Sequence, residues 1–246
     1  MGELIAVLSG KGGTGKTSLC AGIATALAQQ GENVLCIDCD VGLRNLDISL
    51  GLTDSGALSF MDVAEGNYPL DRAARHPAYL SLAFLTAPMN SAADEIDPKT
   101  FEKMLLQARK EYDYIFLDAP AGVDTGLRLT CTAADRVILV TGAELAAIRD
   151  AGRTGQILEL MGKDNVRLVV NRIRPKIISA MALTVDDVMD EAGLPLIGIV
   201  PEDEDVTIAA AFSTPLLAWN RRSVAAAACR RIANRIRGMH VPLPIK

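Results

Sequence analysis

Gly10-Lys11-Gly12-Gly13-Thr14-Gly15-Lys16-Thr17 stands between an apolar run, Leu4–Leu8, and a helical pattern, Ser18–Gln30. The stretch fits G-x-x-x-x-G-K-[ST], and a strand before it with a helix after it is the context that this motif requires. Its glycines let backbone N–H groups turn inward around a chain of phosphates, and the helix that starts near Lys16 adds the positive end of its dipole. Lys16 would neutralise β- and γ-phosphate oxygens, and the Thr17 hydroxyl would ligate Mg²⁺. Gly10, Lys11, Gly12, Gly13, Thr14, Gly15, Lys16, Thr17 and Ser18 are therefore read as the nucleotide cradle.

Outward from this loop, short apolar runs alternate with helical patterns. Asn33–Ile37, Leu80–Leu85, Tyr114–Leu117, Arg136–Val140, Val166–Val170 and Leu196–Val200 read as strands. Lys99–Lys110, Glu144–Met161 and Thr184–Glu191 read as helices. The alternation predicts an α/β fold of the P-loop NTPase kind, a mostly parallel sheet with helices on both faces. Half of the residues are hydrophobic and only 4% are aromatic, which suits a core of small aliphatic side chains. No linker or repeat interrupts the chain, so residues 1–246 are expected to form one domain, with 238–246 an extended tail. The stretch Gly42–Pro77 has weak periodicity and is expected to form surface structure with short helices beside the site.

Two carboxylate signals accompany the loop. Ile37-Asp38-Cys39-Asp40 closes a strand, and residues two apart on a strand face the same way. Asp38 would hold water on Mg²⁺ and Asp40 would orient an attacking water; the other reading is a pair of turn-forming aspartates. Tyr114-Ile115-Phe116-Leu117-Asp118 is a buried strand that delivers one carboxylate towards Mg²⁺, and Ala119-Pro120-Ala121-Gly122 follows it. The glycine there would let a loop move when the γ-phosphate leaves. Lys11 is a second lysine inside the loop. Lys16 already serves the phosphates, so on chemistry alone Lys11 is either functional or a solvated surface residue.

These residues resemble the MinD/ParA group of P-loop ATPases. Lys-Gly-Gly-x-Gly-Lys-Thr is the group's signature, Asp118-Ala-Pro-Ala-Gly122 is similar to its switch region, and Asp40-Val-Gly-Leu-Arg-Asn-Leu-Asp47 places the chain nearer the MinD branch than the ParA branch. Asn171-Arg172 and Pro201-Glu202 fall where the group contacts the adenine side of its nucleotide. The resemblance spans residues 3 to about 220. It implies a Mg²⁺-dependent, dimer-activated ATPase that cycles between monomer and ATP-bound homodimer and acts in placing the division septum. Lys11 would cross the dimer interface to the partner's nucleotide as an arginine finger does. Lys11, Lys16 and Asp40 are then the catalytic candidates, with Thr17, Asp38 and Asp118 at the metal. The helix at 144–153 corresponds to the group's activator-binding helix.

Other features bound the function. The net charge is −5, opposite to that of a general nucleic-acid coat, so DNA is not an expected partner. The five cysteines are an odd number in a long chain and do not read as a disulfide framework; Cys36 and Cys39 are expected to be buried small hydrophobes. No signal peptide is read at Met1–Ile5, and a cytoplasmic location is expected. Members of the MinD branch end in a short amphipathic lipid-binding helix. Here the last helical pattern, Ser223–Arg237, carries Ala225, Ala228, Cys229, Ile232 and Ile236 on one stripe, which suits packing on a sheet. Arg230, Arg231 and Arg237 are expected towards solvent. Pro242 and Pro244 prevent a further helix, so no autonomous membrane anchor is predicted. The competing readings are a ParA-like ATPase that positions DNA or cargo, and an iron–sulfur or electron-donating ATPase.

Overall fold

The computed structural model of the chain describes residues 1–41, 43–89, 95–122, 125–174 and 184–243. Eight strands form one sheet: β1 (Glu3–Leu8), β2 (Val34–Asp38), β3 (Ala74–His76), β4 (Tyr79–Leu85), β5 (Tyr114–Asp118), β6 (Arg136–Thr141), β7 (Val166–Ile173) and β8 (Leu196–Pro201). Their order is β3-β4-β2-β5-β1-β6-β7-β8, and every neighbouring pair is parallel except β3–β4. The α/β reading holds, and the seven strands read from the sequence are the seven parallel ones. β3 was not foreseen; three residues are too short to show a period of two.

The helices are α1 (Lys16–Gln29), α2 (Leu46–Leu50), α3 (Phe60–Ala64), α4 (Pro98–Glu111), α5 (Thr125–Ala133), α6 (Leu145–Leu160), α7 (Val185–Ala192), α8 (Glu204–Ala211), α9 (Leu216–Trp219) and α10 (Val224–Ile236). Alternation along the strands sends side chains to two separate helix layers. Ile5 and Val7 of β1 pack with α1, α2 and α10, while Leu4, Ala6 and Leu8 pack with α3 to α7 on the other face. The stretch 42–77 departs from the expectation of surface structure. Leu46, Leu50, Phe60 and Leu70 are fully buried, so its short helices α2 and α3 close the core as well as flanking the site. Gly42 lies outside the described residues.

Helix α1 is buried nearly all round, between the sheet and α10. The contact is close because small residues make it: a Cβ on Gly22 would stand 2.7 Å from Cys229 Sγ. α10 buries the predicted stripe, together with Ala226 and Ala233. Its arginines are less free than expected. Arg230 and Arg231 are half-buried, and Arg237 pairs with Glu32 at 2.8 Å. Arg235 donates to the Ile197, Val241 and Pro242 carbonyls, which holds residues 241–242 against β8. Pro244 and the two residues after it lie outside the described residues. Among the described residues no helix is long and apolar enough to cross a membrane.

Candidate functional site

The loop 9–15 leaves the carboxyl end of β1 at the middle of the sheet, where ligands of open α/β sheets bind. Gly13 and Gly15 have φ of 81° and 84°, a region that side chains with a Cβ avoid. Nothing crowds the Cβ positions of Gly12 and Gly13, so the concave side of the loop is open. Gly15 is the N-cap of α1 and offers no side chain to cap it. The first-turn amides of α1 are thus left to an external acceptor, with no acidic residue in that turn to compete. This is a physical fit to a phosphate chain. A cavity of about 400 Å³ opens here, lined by Ser9, Gly12–Ser18, Asp40, Leu43, Asn45, Ile48, Ser49, Ala121, Arg172 and Ala210.

Lys16 lies at the base of this cavity and is 6% exposed. Its Nζ donates to Asp118 Oδ1 at 2.6 Å and reaches Thr17 Oγ1 at 3.3 Å. Asp118 ends β5 and is level with Asp38 across the β2–β5 ladder. Burial pushes both carboxyls above the usual range, Asp38 to about 6, with the neighbouring Asp118 charge adding to it. For Asp118 the Lys16 ammonium opposes that rise. For Asp38 the opposition comes from two backbone amides, those of Asp40 at 2.9 Å and Leu46 at 3.1 Å.

These contacts correct the strand reading of Ile37–Asp40. β2 stops at Asp38, and Asp40 belongs to the turn that follows, folded back by the bond from its own amide to Asp38. The two carboxylates are therefore not consecutive on one strand face. Asp38 organises the turn, and Asp40 reaches the cavity wall. Asp40 is raised by burial and lowered by Lys16.

The remaining candidates divide. Lys11 is exposed and, among the described residues, has no ion-pair partner. Gly10 abuts α6: a Cβ there would meet the Asp150 carbonyl and Thr154 Oγ1 at 2.8 Å. Asn171 sits behind the loop, its Nδ2 donating to the Thr14 carbonyl at 2.7 Å. Arg172 has φ of 56° at an irregularity in β7, and its Nη1 donates to the Gly13 carbonyl at 2.9 Å. Pro201 and Glu202 do not line the cavity; Glu202 is held by Arg174, whose Nη2 donates to Oε1 at 2.6 Å. Val123 and Asp124, which follow the Asp118–Gly122 segment, lie outside the described residues. Sequence reasoning gave no place in the site to the cavity residues Ser9, Leu43, Asn45, Ile48, Ser49, Ala121 and Ala210. Leu43, Asn45 and Ala121 had a signal in the segments that carry the resemblance, and Ser9 had one in its place between the strand and Gly10.

All five cysteines are free and buried, on four elements and the turn after β2, as small core residues. Among the described residues no three or more His, Cys, Asp or Glu side chains converge as a metal site. A Mg²⁺ site here would therefore draw on Thr17, one or two carboxylates, phosphate oxygens and water, the mixture that this ion favours.

Residues 5–216 match the CbiA family, described as the CobQ/CobB/MinD/ParA nucleotide binding domain. The septum site-determining protein MinD of Synechocystis sp. is 36% identical over 244 residues, covering 98% of this chain and 92% of that protein. Among solved structures, the MinC:MinD cell division protein complex of Aquifex aeolicus superposes with a TM-score of 0.90 at 37% identity, covering 98% of each chain. MinD of Pyrococcus horikoshii complexed with Mg-ADP gives a TM-score of 0.83 at 26% identity, covering 96% of each chain.

Proposed function

The chain belongs to the MinD/ParA nucleotide-binding family and is a cell-division ATPase of the MinD type, and from that premise we propose how its own residues carry the cycle. The observation that supports the reading most is the open cradle at an uncapped helix start, with Lys16 held on Asp118 at its base. A triphosphate competes with Asp118 for the Lys16 ammonium. Asp118, relieved of Lys16, together with Asp38 and Thr17, would hold Mg²⁺, which when bound would supply neutralisation of phosphate charge. Asn171 and Arg172 brace the loop carbonyls of Thr14 and Gly13 and border the nucleoside end, with Pro201 and Glu202 beyond them.

Asp40, on the cavity wall, orients the water that attacks the terminal phosphoryl group. Lys11, exposed and not among the residues that line its own subunit's cavity, reaches the nucleotide of a second copy, so hydrolysis waits on dimerisation. A partner protein seated on residues 144–153 of α6 acts on the loop through Gly10, which packs directly on that helix. The MinC:MinD complex supports a protein partner of this kind. The single continuous sheet supports one domain over residues 1–246. The protein works in the cytoplasm and reaches the membrane through a partner.

The test is molar mass in solution with ATP, ADP or neither, for wild type and Asp40→Ala. Wild type should dimerise transiently with ATP and the variant should stay dimeric. If the variant hydrolyses ATP at the wild-type rate, another group orients the water.

A further inference from the structure

The wall of the cavity holds a hydroxyl that nothing among the described residues satisfies. Ser9 is 1% exposed, and among the described residues its Oγ has no hydrogen-bond partner. A buried donor left unmade is costly, and native proteins leave few of them. Thr14 Oγ1 is buried and unpartnered too and belongs to the same lining, but Thr14 sits on the loop against Asn171, which donates to its carbonyl at 2.7 Å. Thr86 Oγ1 and Tyr112 Oη are the other such hydroxyls among the described residues, and neither residue lines the cavity. Ser9 is thus the unpartnered buried hydroxyl of the lining that is tied to the segment after Asp118.

Its surroundings indicate what it meets. The Ser9 carbonyl accepts from Gly122 N at 3.1 Å, so residue 9 is tied to the segment that follows Asp118. Two residues before it, Val7 stands level with Asp118 across the β1–β5 ladder. Ser9 therefore lies on the Asp118 side of the cavity. Ala121, beside Gly122, contributes to the same wall.

We propose that Ser9 is a nucleotide-binding residue, its Oγ–H donating to an oxygen of the terminal phosphoryl group. The inference rests on the ATPase reading above and adds a discriminator between ATP and ADP. A hydroxyl satisfied only by the γ-phosphate favours the triphosphate, because ADP leaves it unmade. The bond to Gly122 N then couples the occupied hydroxyl to the segment behind Asp118.

Calorimetry with Mg²⁺ and either ADP or a non-hydrolysable ATP analogue, on wild type and Ser9→Ala, tests this. The variant should lose roughly tenfold or more in affinity for the ATP analogue, the scale of a hydrogen bond to a charged acceptor, and little for ADP. Its nucleotide-free melting temperature should be unchanged or raised, because alanine removes an unsatisfied group. Equal losses for both nucleotides, or none, would overturn the proposal. So would a clear fall in nucleotide-free stability, which would mean that Ser9 Oγ has a partner within the protein or a fixed water. Ser9→Cys, close in size and a weak donor, should follow alanine and serves if alanine folds poorly. Wild type that binds neither nucleotide would instead refute the ATPase reading itself.

Discussion

Lys16 and Asp118 form a buried ion pair with 2.6 Å between Nζ and Oδ1, joining the start of α1 to the end of β5. The lysine proposed to serve phosphate is also the counter-charge of a carboxylate that is 1% exposed. Removing one member of such a pair leaves the other uncompensated. Lys16→Ala should therefore abolish tight nucleotide binding and also destabilise the nucleotide-free protein by roughly 3–5 kcal/mol, the usual range for a broken buried pair. The double variant Lys16→Ala/Asp118→Ala should recover part of that stability without recovering binding. Urea unfolding of the four proteins gives the coupling; additive losses would show that the pair contributes nothing.

Lys11 should behave in the opposite way. It is exposed and, among the described residues, unpaired, so Lys11→Ala should leave stability within about 0.5 kcal/mol of wild type. Nucleotide affinity as a monomer should persist. ATP-dependent dimerisation and turnover should be lost, as sedimentation and phosphate release would report. A Lys11→Ala protein with an intact ATP dimer and normal turnover would refute the action in trans.

Asp38 gives a pH dependence whose sign is fixed. Its carboxyl is raised from 3.8 to about 6 in the folded protein, chiefly by burial. Between these values the folded state holds more protons than the unfolded state. This group's contribution is greatest below pH 3.8 and is lost as pH rises through 6. In Asp38→Asn that loss is absent. The stability of the variant relative to wild type should rise from about pH 4 to about pH 7 and then level off. Chemical unfolding across this range measures it, and a pH-independent difference would contradict the assignment.

Gly22 tests the packing of α1 on α10. A Cβ there falls 2.7 Å from Cys229 Sγ, so Gly22→Ala should cost roughly 1–3 kcal/mol from overpacking, despite alanine's better helix propensity. Cys229→Ala in the same chain should restore most of it. Thermal melts of the single and double variants would show whether the two positions are coupled.

The place of the cavity's loop was legible in the sequence and that of its other walls was not, for physical reasons. Gly10–Thr17 is a local device: each residue's role follows from its neighbours in the chain, so the loop reads without a structure. Asp118 read well because a buried strand ends on it. Asp38 and Asp40 were placed on one face because periodicity cannot show that a strand stops between them, and the bond from Asp40 N to Asp38 is what turns the chain. Ser9 stands between the strand read as Leu4–Leu8 and Gly10, and an unmade hydrogen bond is visible only when all possible partners have positions. α9 was not read because four residues give barely a turn over which to see a period, and α8 because it buries only Ala209 and so carries no apolar stripe. Leu46, Phe60 and Leu70 were read as surface because their short elements hide a burial that comes from distant parts of the chain.

The contact between Gly10 and α6 separates two kinds of change. It is made by the Asp150 carbonyl and the inward-facing Thr154, whereas Glu144, Leu145, Arg149 and Arg153 face solvent on the same helix. The outer face can be rewritten residue by residue without altering the surface that Gly10 meets. Under the proposed partner site on α6, the residues that would meet the partner and the surface that holds the loop are thus separate, and the first can change without disturbing the second.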